Sequence, residues 1–176
     1  MFGIAVTGLA RSGKDAVADY LVERYGFRKL VLSEVLAAEL EKQGRPDSKM
    51  ERSMLGVEIR KMQGKDVLAR KVLETARREK FERAIFSGIQ SVAEVEFLKS
   101  NLERFTLIAV EAGEENRFQR KTQSDPQSRA DFFARDRHNL EKFDLKAVIE
   151  GADHTIPNNS TLDDLHRAID ELMQNI

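Results

Sequence analysis

The residues best suited to chemistry stand together near the amino end, in the stretch Gly-Leu-Ala-Arg-Ser-Gly-Lys that begins at Gly8. Two glycines five residues apart, the second followed at once by Lys14, have the spacing of a phosphate-binding loop. Gly8 and Gly13 can adopt positive φ and let phosphate oxygens approach backbone N–H groups, while Lys14 supplies an ammonium group. The stretch predicts a site for the phosphates of a nucleoside triphosphate. The alternative is a strand-to-helix turn that uses its glycines for geometry alone.

Asp15 stands where phosphate loops usually carry a serine or threonine that binds Mg²⁺. A carboxylate is also a hard oxygen ligand, so Asp15 is a candidate for holding Mg²⁺ directly or through water. Its negative charge beside a polyphosphate should make nucleotide binding depend steeply on the metal. The alternative is an acid that stabilises the positive end of the following helix. Arg11 and Ser12, within the same loop, complete the predicted nucleotide-binding set.

The elements that must position this loop follow from the alternation of short apolar runs with longer amphipathic stretches. Strands are predicted at residues 2–7, 27–32, 83–89, 104–112 and 152–157. Helices are predicted at residues 15–26, 33–44, 53–64, 66–80, 91–102, 114–121, 129–143 and 161–174. Ser33 is expected to cap the second helix, and Ser91 with Glu94 forms a predicted capping box. The alternation predicts an α/β fold with a mainly parallel sheet covered by helices on both faces.

The composition of the chain excludes several classes of protein function. The chain has 176 residues, of which 41% are hydrophobic and 34% charged, with a net charge of -1 and no cysteine. This length suits a single domain, and the absence of cysteine excludes disulfides, thiolate catalysis and cysteine-based zinc sites. Near-zero net charge without an aromatic-basic cluster disfavours a nucleic-acid-binding function. With no stretch of membrane-spanning length, we expect a cytoplasmic protein that has neither a membrane nor a nucleic-acid partner.

Four segments of the chain occur in the order seen in small P-loop kinases. They are GLARSGKD, LSEVLAAELEKQG, LGVEIRKMQGKDVLARKV and GADHTIPNNSTLDDL. The chain resembles dephospho-CoA kinases and nucleoside monophosphate kinases, and it is most similar to archaeal dephospho-CoA-kinase-related proteins of unassigned substrate. Over nearly the whole chain, the resemblance implies a three-layer P-loop NTPase domain with a five-stranded parallel sheet. It also implies a helical acceptor-binding region at about 33–80, a short lid at about 117–130, ATP and Mg²⁺, and a nucleotide-like or CoA-precursor acceptor.

The resemblance further implies roles for residues outside the loop. Glu34 falls near the acid that faces the acceptor, and Arg60 falls where an arginine holds the acceptor phosphate. Arg117 and Arg120 lie where the lid arginines begin, three residues apart on one helical face, and would neutralise charge on the transferring group. Asn158 belongs to the stretch that lines the adenine pocket.

Each of these residues has a structural alternative. Glu34 could be an acid in the first turn of a helix, and Arg60 part of an ordinary charged helix face. The two lid arginines could instead pair with Glu114 and Glu115 on a solvated face.

The segment after the third strand departs from the family pattern. Relatives of this type read approximately Asp-Gly-x-Arg there, whereas this chain reads Ser87-Gly88-Ile89-Gln90. The acid that would hold Mg²⁺ or its water is missing, as is the arginine, although Asp15 could supply the carboxylate from the loop. Two functions therefore stay open: an ATP-dependent small-molecule kinase, and a nucleotide-binding regulatory module with little or no kinase activity.

Overall fold

A parallel five-stranded sheet forms the centre of the protein in a computed structural model, which describes residues 1–142 and 144–176. The strands are β1 (Phe2–Thr7), β2 (Arg28–Val31), β3 (Arg83–Ser87), β4 (Arg104–Glu111) and β5 (His154–Pro157). They lie in the order β2-β3-β1-β4-β5, with every neighbouring pair parallel. The predicted fold class is therefore confirmed. Because β1 is central, the loop that follows it opens at the middle of the sheet's carboxyl edge.

Helices cover both faces of this sheet. They are α1 (Lys14–Tyr25), α2 (Leu32–Lys42), α3 (Lys49–Gln63), α4 (Val67–Arg78), α5 (Val92–Asn101), α6 (Glu114–Gln119), α7 (Arg129–Lys142), α8 (Leu145–Glu150) and α9 (Leu162–Asn175). Among the helices described, none is both long and apolar enough to cross a membrane.

Two hydrophobic cores, one on each face, hold the layers together. Alternate residues of β1 point to opposite faces, as a strand requires, so that Ile4 and Val6 pack with α1 and α9. Ala5 belongs to the other core, which contains residues of α2, α3, α4, α5 and α8. The sheet is buried on both faces, and this explains why its strands read as apolar runs rather than as alternating patterns.

The structure corrects the predicted start of α2. Ser33 does not cap the helix, because α2 begins at Leu32 and the extended Val31 occupies the N-cap position without a side-chain bond. The strand β2 passes directly into the helix, and Leu32 is buried in the core at that point. The capping box of Ser91 and Glu94, by contrast, is confirmed.

The start of α3 and the presence of α8 also differ from the predictions. The helix α3 begins at Lys49, earlier than predicted, because the Ser48 hydroxyl accepts a hydrogen bond from the backbone of Glu51. The short helix α8 was not predicted. Phe143, the last residue of the predicted helix at 129–143, lies outside the described residues.

Phe86 gives a test of the core between β3 and the helices that cover it. Its side chain is fully buried, and we expect Phe86→Ala to lower the free energy of unfolding by about 3–5 kcal/mol through lost burial and a cavity. Urea unfolding measures this value. Met54→Ala, at an exposed position of α3, should change the free energy by no more than about 0.5 kcal/mol. Similar losses in the two variants would contradict the assignment of Phe86 to the core.

Candidate nucleotide-binding site

The loop after β1 has the backbone shape that its glycines predicted. Gly8 has φ 146°, and a Cβ atom there would lie 2.5 Å from the carbonyl oxygen of Val110 and 2.7 Å from Ser12 Oγ. Gly13 has φ 104° and precedes Lys14, the first residue of α1. A side chain at either position would meet both an unfavourable backbone conformation and a steric clash. The loop therefore places backbone N–H groups beside the positive end of a helix, which is a favourable arrangement for an anion.

Asn158 supports this loop from the carboxyl end of β5. Its Nδ2 donates a hydrogen bond of 2.8 Å to the carbonyl oxygen of Ser12, and a Cβ atom on Gly13 would clash with the same amide. The backbone N–H of Asn158 donates to the carbonyl oxygen of Glu111 at 2.7 Å. The resemblance to P-loop kinases implies that Asn158 lines an adenine pocket; the structure shows that its buried side chain points towards Ser12 of the loop.

Lys14 and Asp15 are the loop residues whose side chains are available for a ligand. Neither has a hydrogen bond or an ion pair within the described part of the chain. Both line a cavity of about 550 Å³ above the loop. The cavity is also lined by Ala10, Arg11, Gly13, Arg120, Asp125, Arg135 and Asn139.

Arg120 and Arg135 bring buried cationic groups to this cavity. Arg120 Nη2 donates to the carbonyl oxygen of Asn158 at 3.1 Å, while its buried Nη1 has no hydrogen-bond partner among the described residues. Arg135 Nη1 donates to Asp125 at 2.6 Å, and its buried Nε and Nη2 have no hydrogen-bond partner in the part of the chain that the structure describes. Buried polar groups are nearly always satisfied in folded proteins, so these nitrogens indicate a place for an anion.

Arg135 was missed by the sequence analysis, which placed the lid arginines before residue 130. It lies on α7, beyond the predicted lid, and a helix-face arginine on its own gives no signal.

Arg117 does not share the environment of Arg120, although the two were predicted to act as a pair. Its side chain is only 4% exposed and forms an ion pair with Asp136, Nη1 to Oδ2, at 2.5 Å. Further bonds run to the carbonyl oxygens of Ala112 at 3.2 Å and Ala10 at 3.3 Å. Arg117 therefore ties the loop to α6 and α7. The alternative of a solvated face is also wrong, because Glu115 pairs with Arg129 instead.

Glu34 and Arg60 lie apart from the cavity's described lining. Glu34 is exposed in the first turn of α2, beyond the carboxyl end of β2. Arg60 Nη2 pairs with Oε1 of the fully buried Glu94 at 2.8 Å. The other carboxylate oxygen of Glu94 accepts the backbone N–H groups of Gln90 and Ser91 at 2.8 and 3.2 Å.

The segment that departs from the family pattern is built into this network. Gly88 has φ 89°, and the carbonyl oxygen of Ile89 accepts a hydrogen bond of 3.3 Å from Thr7 Oγ1 at the end of β1. Among the residues that the structure describes, no group of three histidine, cysteine or acidic side chains is placed to hold a metal ion.

Asp125, in the predicted lid, is the carboxylate most strongly perturbed by its surroundings. Its side chain is 4% exposed and pairs with both Arg11 and Arg135. Burial by itself would raise the pKa of Asp125, but the backbone N–H of Thr122 and the two guanidinium groups lower this pKa far below its usual value. The carboxylate therefore stays charged inside the lid.

Comparison with known proteins finds relatives in sequence, which are named UPF0200 proteins, and solved structures that share the fold. It is 30% identical over 179 residues to a UPF0200 protein of Methanothrix thermoacetophila, covering 98% of this chain and 97% of the relative. A UPF0200 protein of Pyrobaculum aerophilum is 33% identical over 177 residues, with 98% and 93% covered. No model of a protein family matches the chain.

Solved structures share the fold at lower identity. TT1252 from Thermus thermophilus superposes with a TM-score of 0.66 at 22% identity, covering 99% of this chain and 97% of that one. Shikimate kinase from Bacteroides thetaiotaomicron gives a TM-score of 0.64 at 14% identity, with the same coverage. At these identities the likeness shows the fold of a P-loop kinase and leaves the substrate open.

The lowered pKa of Asp125 predicts a dependence of stability on pH. A carboxylate with a lowered pKa stabilises the fold above its unfolded pKa of about 4, and this contribution is lost as the pH falls towards the folded value. We expect Asp125→Asn to be less stable than the wild type at pH 7, and the gap to narrow as the pH falls from about 4 to about 2. Thermal unfolding over this range measures the gap.

A matched control is Glu141→Gln, which removes a carboxylate from an exposed position on α7 and should unfold like the wild type at pH 7. If the stability difference between the wild type and Asp125→Asn keeps its full size to the lowest pH, the pKa of Asp125 is not lowered in the way described.

Proposed function

Because this chain belongs to the UPF0200 family and has the fold of P-loop kinases, we propose that it binds a nucleoside triphosphate and transfers the terminal phosphoryl group to a small acceptor. One observation carries the proposal. Lys14, Arg120 and Arg135 converge on a single cavity above the phosphate loop, and three buried nitrogen atoms of the two arginines have no hydrogen-bond partner among the residues described. A polyphosphate would satisfy these donors.

The loop would hold the donor phosphates through its backbone. Its N–H groups between Gly8 and Lys14 surround a concave turn, and the amino end of α1 adds a partial positive charge. Lys14, which has no partner among the described residues, would contact the outer phosphates. Ser12 is buried and would keep the loop in shape rather than contact the nucleotide base.

Three arginines would neutralise charge on the transferring group. Arg120 and Arg135 supply the unpartnered nitrogens, and Arg11 lies on the loop itself. As the acceptor oxygen attacks the terminal phosphorus, the bond to the bridging oxygen breaks and the nucleoside diphosphate leaves. Fixed cations stabilise the charge that spreads over the phosphoryl oxygens during this step. Arg117 would act as a positioning residue, since Asp136 occupies its guanidinium group.

Asp15 fits a role in placing Mg²⁺. Mg²⁺ in such sites keeps several waters and takes one or two carboxylates together with substrate phosphates, so it needs no cluster of acids. Asp15 is an exposed carboxylate without a partner in the described chain, and it lines the cavity with Lys14. When bound, the metal would offset negative charge on the phosphates.

The acceptor would approach from the β2 and β3 side of the sheet, where α2 and α3 form the proposed acceptor-binding region. Glu34 is exposed there and could orient an acceptor hydroxyl. Arg60 would have to exchange part of its contact with Glu94 for an acceptor phosphate. We propose a nucleotide-like or CoA-precursor acceptor, as the dephospho-CoA-kinase resemblance implies, and a cytoplasmic location. The shikimate kinase fold adds a hydroxylated carboxylic acid as a competing class.

A second function is a nucleotide-binding module with little or no kinase activity. The observation that favours it is the segment from Ser87 to Gln90, which lacks the usual acid and arginine and whose backbone is engaged by Glu94. Such a protein would bind nucleotide at the same loop without turnover.

Lys14→Ala tests the proposed binding site. In the wild type, ATP with Mg²⁺ at a hundredfold excess over Kd should stabilise the folded state by about 2.7 kcal/mol. The variant should lose most of this stabilisation, whereas Lys42→Ala, at an exposed position on α2, should keep it. Thermal unfolding with and without nucleotide measures both.

ADP release by the same proteins distinguishes the kinase from the nucleotide-binding module. ADP release is measured with a panel of nucleoside monophosphates, dephospho-CoA and shikimate. ADP that appears only with one acceptor, and only in the Lys14-containing proteins, supports the kinase. Binding without turnover across the panel supports the module, and no binding of ATP or GTP to the wild type removes both.

Asp15→Ser tests the proposed role of the carboxylate in metal dependence. The negative charge of Asp15 repels a polyphosphate unless a cation intervenes, so we expect the affinity for ATP to rise more steeply with Mg²⁺ in the wild type than in the variant. Calorimetric titrations at several Mg²⁺ concentrations give the two slopes. Equal slopes would show that Asp15 does not act through the metal.

A further inference from the structure

A short segment of the lid, residues 122–127, lies over the phosphate loop; we refer to it as the strap. It is held together by its own bonds, since the backbone N–H of Thr122 donates to the Asp125 carboxylate at 2.9 Å. The backbone N–H of Asp125 donates back to the carbonyl oxygen of Thr122 at 3.0 Å. Gln127 Nε2 donates to the same carbonyl oxygen at 2.9 Å. The strap can therefore keep its shape while its position changes.

Two arginines of the nucleotide-binding cavity hold the strap through Asp125. Arg11 Nε lies 2.7 Å from Oδ2 of Asp125, and Arg11 Nη2 lies 2.7 Å from the hydroxyl of Thr122. Arg135 Nη1 lies 2.6 Å from Oδ1 of the same carboxylate. One buried carboxylate thus bridges a cation of the loop and a cation of α7.

This bridge occupies Nε and Nη2 of Arg11, the fork through which that arginine would bind a phosphate, and Nη1 of Arg135. Carboxylate and phosphate are both oxyanions that the guanidinium fork binds in the same plane, so they compete for Arg11 and Arg135. Arg11 has two donor nitrogens occupied by the strap. If a phosphate took both arginines, Asp125 would be left as a buried charge without its cations, which is strongly unfavourable. The carboxylate would then have to leave its site and carry the strap with it.

Resting on the nucleotide-binding function proposed above, we propose that Asp125 is an internal competitor for phosphate. Its carboxylate closes the strap across Arg11 and Arg135, and a polyphosphate that binds these arginines releases the strap. The apparent affinity for nucleotide is then reduced by the fraction of molecules in the closed state. In the opposite role, the Asp125 carboxylate would hold Arg11 and Arg135 in position for phosphate. Removing the carboxylate would then weaken phosphate binding.

Asp125→Asn in the full chain distinguishes the two roles, with pyrophosphate and ADP as probes. The amide keeps the shape of the side chain but removes the charge that binds the arginines. Calorimetry should show binding that is about tenfold tighter in the variant if about nine molecules in ten are closed in the wild type. Glu141→Gln removes the same charge from an exposed position on α7, outside the lining of the cavity and outside the strap, so it controls for the change in net charge.

A second measurement reports the strap directly. The chain has no cysteine, so Gln123→Cys, at an exposed position in the strap, accepts a single spin label. We expect the label to be immobile without ligand, to gain mobility with pyrophosphate, and to be mobile from the start when Asp125→Asn is added. With Glu141→Gln the label should stay immobile until pyrophosphate is present.

Equal or weaker binding by Asp125→Asn, or a label that pyrophosphate leaves immobile, would overturn the competitor while leaving nucleotide binding intact. If neither the wild type nor Asp125→Asn gives binding heat with pyrophosphate, ADP or ATP, both the competitor role of Asp125 and the proposed nucleotide-binding function are ruled out. Tighter binding by Asp125→Asn together with a mobile label, when Glu141→Gln shows neither change, supports the competitor.

Discussion

The contact between the phosphate loop and the carboxyl ends of β4 and β5 is the constraint on which the site depends. Gly8 lies against the carbonyl oxygen of Val110, and Gly13 lies against the amide of Asn158. That amide in turn donates to the carbonyl oxygen of Ser12. The loop is thereby fixed from both sides. Any Cβ atom at the two glycines would push the loop away from the strands and disturb the anion site.

The arginines around this loop fall into two kinds: those bonded within the protein and those with nitrogens available to a ligand. Arg117 bonds to Asp136 through Nη1 and to two backbone carbonyl oxygens through Nε and Nη1, so it joins the lid to the loop. Arg120 and Arg135 keep buried nitrogens that have no hydrogen-bond partner within residues 1–142 and 144–176. The three arginines differ in their contacts: Arg117 meets the Asp136 carboxylate, Arg135 gives one nitrogen to Asp125, and Arg120 donates to a backbone carbonyl oxygen.

Family and fold contribute different kinds of information about function. The UPF0200 relatives cover almost the whole chain and carry no activity in their names. The kinase folds explain how a phosphate donor would be held, but their low identity does not define the acceptor. In the proposed function the acceptor would lie near Glu34 and Arg60, and Glu94 already pairs with that arginine.

The sequence by itself determined the sheet, the loop and the capping box of Ser91, because strand periodicity, glycine spacing and caps are local properties of the chain. It did not reveal α8 or the early start of α3, and it assigned Arg117 and Arg120 the same role. Only the tertiary structure showed that Arg117 meets Asp136, that Arg135 reaches the cavity and that Asp125 bridges two arginines. These partners lie between 10 and 114 positions apart in the chain. Helix spacing alone cannot predict which buried cation meets a carboxylate and which stays available for a ligand.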